Sequence, residues 1–141
     1  MSIRPAKLDK KALTGFDQKL FNTDIEISGV SINAGEVKSG DLFIALPGAK
    51  THGMKFIDQA ISNGAVAVLS DRKIDCSIPV FIDQTPRNLV GPISDWFYNN
   101  PFSQLVAVGV TGTNGKTTTT NLVKQLWDLN GIHSGLIGTL G

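Results

Sequence analysis

The sequence predicts an α/β protein: a small mixed α/β domain over residues 1–100, followed by the first βαβ unit of a parallel-sheet domain over residues 101–141. Three observations lead there. Short apolar, β-branched runs alternate with a helix-spaced segment through roughly the first eighty residues. Asn99-Asn100-Pro101 is then a cluster of turn formers, which puts the domain junction near 98–103. After it come a strand pattern, a glycine-bearing loop, a helical pattern and a second strand pattern, the minimum piece of a parallel sheet.

Taken in order, residues 27–32 and 41–46 are β-prone runs separated by a polar, glycine-bearing stretch and predict two strands. Phe56, Ile57, Ala60 and Ile61 recur at helical spacing, and Asn63-Gly64 supplies residues able to close a helix in the left-handed conformation, so a helix is expected near 54–63. Residues 65–69 and 78–82 predict two further strands. Thr85-Pro86 has the form of an N-cap with proline in the first turn, and Leu89, Ile93, Trp96 and Phe97 make one apolar face. Pro92 lacks an N–H and is expected to kink that helix or delay its start. Beyond the junction, a strand over 105–110, a helix over 117–130 with Leu122, Val123, Leu126 and Leu129 on one face, Gly131 as its stop and a strand over 134–139 complete the pattern.

Composition excludes several classes of function. Thirteen basic against 12 acidic side chains give a net charge of +1, too little for the broad basic field of a nucleic-acid binder. The amino terminus carries positive charge without a following apolar run, which argues against a signal peptide or membrane anchor and predicts a cytoplasmic protein. Cys76 is the single cysteine, so no internal disulfide forms and a multi-cysteine zinc site is excluded; no local motif supports it as a nucleophile. No metal-ligand spacing links His52 and His133, and His133 fits a favourable charge at a helix terminus.

The strongest chemical signal runs from Val106 to Thr118, through a strand and a glycine-bearing loop into a helix. Gly112 and Gly115 let the backbone turn sharply and aim successive N–H groups at phosphate oxygens, and the helix that follows points its positive end at the same place. Lys116 supplies a movable charge for the β- and γ-phosphates, and Thr117 a hydroxyl suited to Mg2+. The common P-loop pattern wants glycine five positions before Gly115, where this chain has Val110. Thr119 and Thr120 fit the first helical turns, whereas Asn114 suits either a nucleotide contact or a tight turn.

The run Thr111 to Thr120, following the strand at 106–110, resembles the ATP loop of the Mur ligase family. Residues 36–48, with His52-Gly53, Phe56-Ile57, Ala60 and Gly64-Ala65, resemble the uridine-binding first domain of the later-acting members, and Phe97 to Pro101 is similar to the junction before their ATP strand. The resemblance covers nearly the whole chain beyond about residue 22. It implies a uridine-binding domain followed by the start of a P-loop ATPase domain, with ATP bound by Gly112, Thr113, Asn114, Gly115, Lys116, Thr117 and Thr118, Lys116 catalytic, and Thr117 meeting Mg2+ through the nucleotide. It also implies that Ile32, Asn33, Ala34, Ala49, Lys50, Thr51 and His52 hold the UDP end of the substrate. Here the family's Asp-Ser-Arg is replaced by Asn33-Ala34-Gly35, which leaves backbone contacts possible and removes those of the three side chains.

By this resemblance the full enzyme would use ATP and Mg2+ to add meso-diaminopimelate or L-lysine to UDP-MurNAc-L-Ala-D-Glu in peptidoglycan synthesis, through an acyl phosphate. The partners implied are that UDP-MurNAc-dipeptide and the amino acid, with no nucleic acid and no membrane. The end at Gly141, directly after the second predicted strand, suggests a fragment that does not turn over alone. Two alternatives stay open: the D-alanyl-D-alanine-adding branch of the family, or a non-catalytic nucleotide- or uridine-binding module.

Overall fold

The computed structural model describes residues 9–49 and 51–138. The chain divides into two compact units, Met1–Gln104 and Leu105–Gly141. In the first, β3 (Gly29–Ser31), β4 (Asp41–Ala45), β5 (Ala67–Ser70) and β6 (Val80–Ile82) form a sheet of order β3-β4-β5-β6 in which every neighbouring pair is parallel. A separate antiparallel pair joins β1 (Lys11–Ala12) to β2 (Glu26–Ile27).

Strand alternation gives this sheet two buried faces. Leu42 and Ile44 of β4, with Ala67 and Leu69 of β5 and Phe81 of β6, pack against Ile93 and Phe97 of α2 (Pro86–Phe97) and against Leu13, Phe21 and Ile27. Phe43 and Ala45, with Val68, turn the other way onto Ile57 and Ala60 of α1 (Ile57–Ser62) and onto Ala34 and Val37. All five residues of β4 are buried, as expected of a central strand covered on both sides.

The predicted helix near 54–63 is divided into a 3-10 turn, Gly53–Phe56, and α1. Gly64 closes it with φ +101°, and a Cβ there would stand 2.7 Å from Ser39 Cα, so both conformation and space require glycine. Pro92 neither delays nor interrupts α2, which starts at Pro86 and continues to Phe97. Pro92 and Asn88 are both exposed, so the Asn88 carbonyl that loses its helical donor faces water.

The second unit contains α3 (Lys116–Leu129), ended by a Schellman motif: Gly131, at φ +74°, donates to Asp128 O at 3.1 Å, and Ile132 donates to Trp127 O at 2.9 Å. The strand expected at 105–110 pairs with nothing among the described residues, and neither does 134–138, the described part of the strand expected at 134–139. Parallel strands joined through a helix need a ladder between them, and here Val106 and Val108 remain 82% and 57% exposed.

Candidate functional site

The first candidate surface lies around the amino-terminal end of α3. Gly115 occupies the N-cap position at φ +77° and Gly112 has φ +149°. An added Cβ would meet nothing within 4 Å of Gly115, so backbone conformation is what favours glycine there. The first intrahelical bond runs from Thr119 N to Gly115 O at 2.9 Å, which leaves the preceding N–H groups at the helix mouth pointing outward. Lys116 folds back across the loop, its Nζ donating to the carbonyls of Gly112 and, at 3.3 Å, of Thr113. This loop thus gathers a helix N-terminus and an ammonium on one exposed turn, a donor set that fits a polyphosphate.

Thr117 and Thr118 lie in the first turn with exposed side chains, as do Thr113 and Asn114 in the loop. Thr120, by contrast, turns its hydroxyl onto the carbonyls of Lys116 and Thr117, both at 3.0 Å, and serves the helix itself. Among the described residues no cluster of three or more His, Cys, Asp or Glu is placed to hold a metal. Thr117 offers one hydroxyl, which fits Mg2+ only where phosphate oxygens and water complete the coordination.

The second candidate surface is the carboxyl edge of the parallel sheet. Ile32, Asn33 and Ala34 follow β3, whereas Ala49, Thr51 and His52 follow β4; because these strands are parallel neighbours, both loops leave the same edge. Lys50 lies outside the described residues. Ile32 is exposed, but Asn33 caps its own turn, accepting from Gly35 N at 3.0 Å and donating to Glu36 at 3.3 Å. Ala34 is buried, and its carbonyl accepts from Asn63 Nδ2 at 2.8 Å. Asp41, the first residue of β4, is buried and accepts from Lys38 N at 2.8 Å.

The β4 loop is closed at its base. Pro47 and His52 form an isolated antiparallel bridge, Gly53 N donates to Leu46 O at 2.8 Å, and Arg87 donates to Pro47 O at 2.9 Å. His52 joins this loop to the next strand end. Its Nδ1 accepts from Met54 N at 3.0 Å, so Nε2 carries the proton and donates to Asp71 Oδ1 at 3.0 Å. Arg72 grips both oxygens of Asp71, at 2.9 and 2.8 Å. The Arg72 guanidinium, with help from His52 and against partial burial, holds the Asp71 carboxyl well below the usual carboxylate range.

Sequence reasoning overlooked Asp71, Arg72 and Arg87. The available signal was their position just beyond a β-run or at a helix start, on the edge where parallel sheets place ligand loops.

Two family models match the chain: "Mur ligase family, catalytic domain" over residues 26–90 and "Mur ligase middle domain" over residues 110–141. A UDP-N-acetylmuramoyl-L-alanyl-D-glutamate–2,6-diaminopimelate ligase of Listeria monocytogenes is 42% identical over 116 residues, covering 82% of this chain and 24% of that protein. Among solved structures, MurF of Acinetobacter baumannii aligns with a TM-score of 0.68 at 23% identity, covering 88% of this chain and 29% of that one, a likeness of fold. MurF ligase of Thermotoga maritima in complex with ADP aligns with a TM-score of 0.55 at 30% identity, covering 71% and 23%. The chain therefore spans about a quarter of the length of the curated relatives it matches.

Proposed function

Because this chain belongs to the Mur ligase family, we propose that the protein carrying it is an ATP-dependent ligase of peptidoglycan precursor synthesis that adds the third residue to UDP-MurNAc-L-Ala-D-Glu. The observation that carries the proposal is the Gly112–Thr118 loop on the amino-terminal end of α3, with Lys116 folded across it. The 42% identity to a 2,6-diaminopimelate ligase supports meso-diaminopimelate as the amino acid, ahead of L-lysine.

In this reaction a carboxylate oxygen of D-glutamate attacks the γ-phosphorus of ATP, the β–γ bridge breaks and ADP leaves. The amine of the incoming residue then displaces phosphate from the acyl phosphate and forms the amide. Lys116 and the N–H groups of Gly112–Thr118 would hold the β- and γ-phosphates and offset the charge that develops during transfer. Mg2+, when bound, supplies further neutralisation, with Thr117 as the protein hydroxyl beside it. Residues 1–100 would form the substrate-side domain and 101–141 the start of the ATP domain. There the loops containing Ile32, Asn33, Ala34, Ala49, Lys50, Thr51 and His52 would take the UDP end through backbone groups more than through side chains.

Two assays test this proposal. Titration of the chain with Mg-ATP is expected to give binding that Lys116→Ala abolishes, and binding indifferent to Lys116 would contradict the loop assignment. The complete protein, given UDP-MurNAc-L-Ala-D-Glu and ATP, is expected to release ADP with meso-diaminopimelate. ADP release only when UDP-MurNAc-tripeptide and D-alanyl-D-alanine are supplied would favour the other branch of the family, whose solved members share the fold.

A further inference from the structure

We propose that His52 is a positioning residue for substrate binding: through its Nε2–H bond to Asp71, itself gripped by Arg72, it holds Gly48, Ala49 and Thr51 of the loop after β4 where they take the UDP end. This inference rests on the substrate-side assignment made above. Among the described residues of the loop Gly48, Ala49 and Thr51 are small and exposed, so at these positions main-chain groups face outward, and main-chain recognition depends on where the loop is held.

Among the described residues three ties hold it, and they differ in kind. The Gly53–Leu46 bond and the Arg87–Pro47 bond fix its two ends by backbone carbonyls. Gly53 makes the first possible, since a Cβ there would lie 2.9 Å from Leu46 N. Among the described residues the His52–Asp71 bond is what connects the β4 loop to the end of β5, 19 residues further on, and sets it against a neighbouring loop of the same sheet edge. Arg72 matters here because it occupies both Asp71 oxygens, leaving the carboxylate one orientation to offer His52.

His52 has a second task that a purely structural account would make its whole role: its Nδ1 caps the turn beginning at Gly53 by accepting from Met54 N. The two tasks use different nitrogens and can be separated by substitution. Asparagine places an acceptor where Nδ1 stands and is a strong N-cap, but it is too short to reach Asp71. Glutamine extends its amide N–H toward the position of Nε2 and is a poor cap.

The experiment is calorimetric titration of the 141-residue chain and its variants with UDP-MurNAc-L-Ala-D-Glu, with thermal unfolding run in parallel. His52→Gln is expected to keep most of the affinity at reduced thermal stability. His52→Asn is expected to lose about 10-fold in affinity, a typical size for one coupled hydrogen bond, while its unfolding temperature is maintained. Asp71→Ala should weaken binding as much as His52→Asn, and the double variant no more than either alone. Full affinity in His52→Asn, or a double loss equal to the product of the single ones, overturns the inference and leaves the substrate assignment standing. A native chain that takes up no UDP-MurNAc-L-Ala-D-Glu overturns the substrate assignment itself, and the inference with it.

Discussion

Lys11 Nζ donates to the main-chain carbonyl of Trp96 at 2.6 Å and stands 5.1 Å from the centroid of that residue's ring, so one ammonium holds both the backbone and the side chain of the last turn of α2. A third contact, to Asn99 Oδ1 at 2.7 Å, secures the left-handed residue that follows, where φ is +66°. The positive charge meets the negative end of a helix dipole, next to carbonyls without an intrahelical donor.

Replacing Lys11 by Met keeps the apolar stem and removes these contacts. The variant is expected to lose about 1–2 kcal/mol of unfolding free energy, combining a helix-end charge with a cation–π contact. Urea titration followed by tryptophan emission would measure it, since Trp96 is the ring that loses its partner.

Gly115→Ala should weaken Mg-ATP binding without touching the core of the first unit. The added methyl has open space, so the effect comes from φ +77°, a conformation disfavoured for alanine by about 1–2 kcal/mol. Calorimetry with Mg-ATP is expected to show roughly a 10-fold loss, the equivalent of that energy.

Asp71 links stability to acid. Its carboxyl is held below the ordinary range in the fold, so it contributes stability that is fully present above the unfolded-state value, near ~3.9, and declines as pH falls from there toward the folded-state value. The unfolding temperature of the native chain should therefore exceed that of Asp71→Asn at neutral pH. The gap should stay constant down to about pH 4 and then narrow as the solution is acidified further.

Two neighbouring substitutions in α2 should raise stability. Pro92→Ala restores an N–H for the exposed Asn88 carbonyl and is expected to add about 1 kcal/mol or more. Gly91→Ala, with nothing within 4 Å of the new methyl, should add about 0.5–1 kcal/mol. Thermal unfolding at one fixed pH would register both.

The strands and helices of the first unit were legible because β4 is apolar from Leu42 to Ala45, a pattern that two-sided burial requires, and because Asn63-Gly64 and Thr85-Pro86 announce their helix ends locally. The turn from Gly112 to Lys116 was legible for the same reason: its conformational demands sit in one short run. What escaped was whatever depends on distant partners. Leu13 and Phe21 are fully buried beneath α2, with Phe21 in edge contact with Phe81 at 4.8 Å, although their polar surroundings show no helical or strand period. The bond from His52 to Asp71 joins two loops whose proximity follows only from the pairing of β4 with β5. The strand expected at 105–110 and the described part, 134–138, of that expected at 134–139 differ in the opposite way: local β-propensity is present, but among the described residues a ladder partner is not.

That unpaired stretch has a practical consequence for anyone handling the protein. Leu105 to Gly109, at the start of the second unit, runs exposed and among the described residues has no ladder to protect its peptide bonds, and it offers apolar side chains at Leu105, Val106 and Val108. Brief digestion with chymotrypsin or thermolysin should nick here first and yield a resistant piece ending close to Gln104, a ready supply of the first unit for separate study.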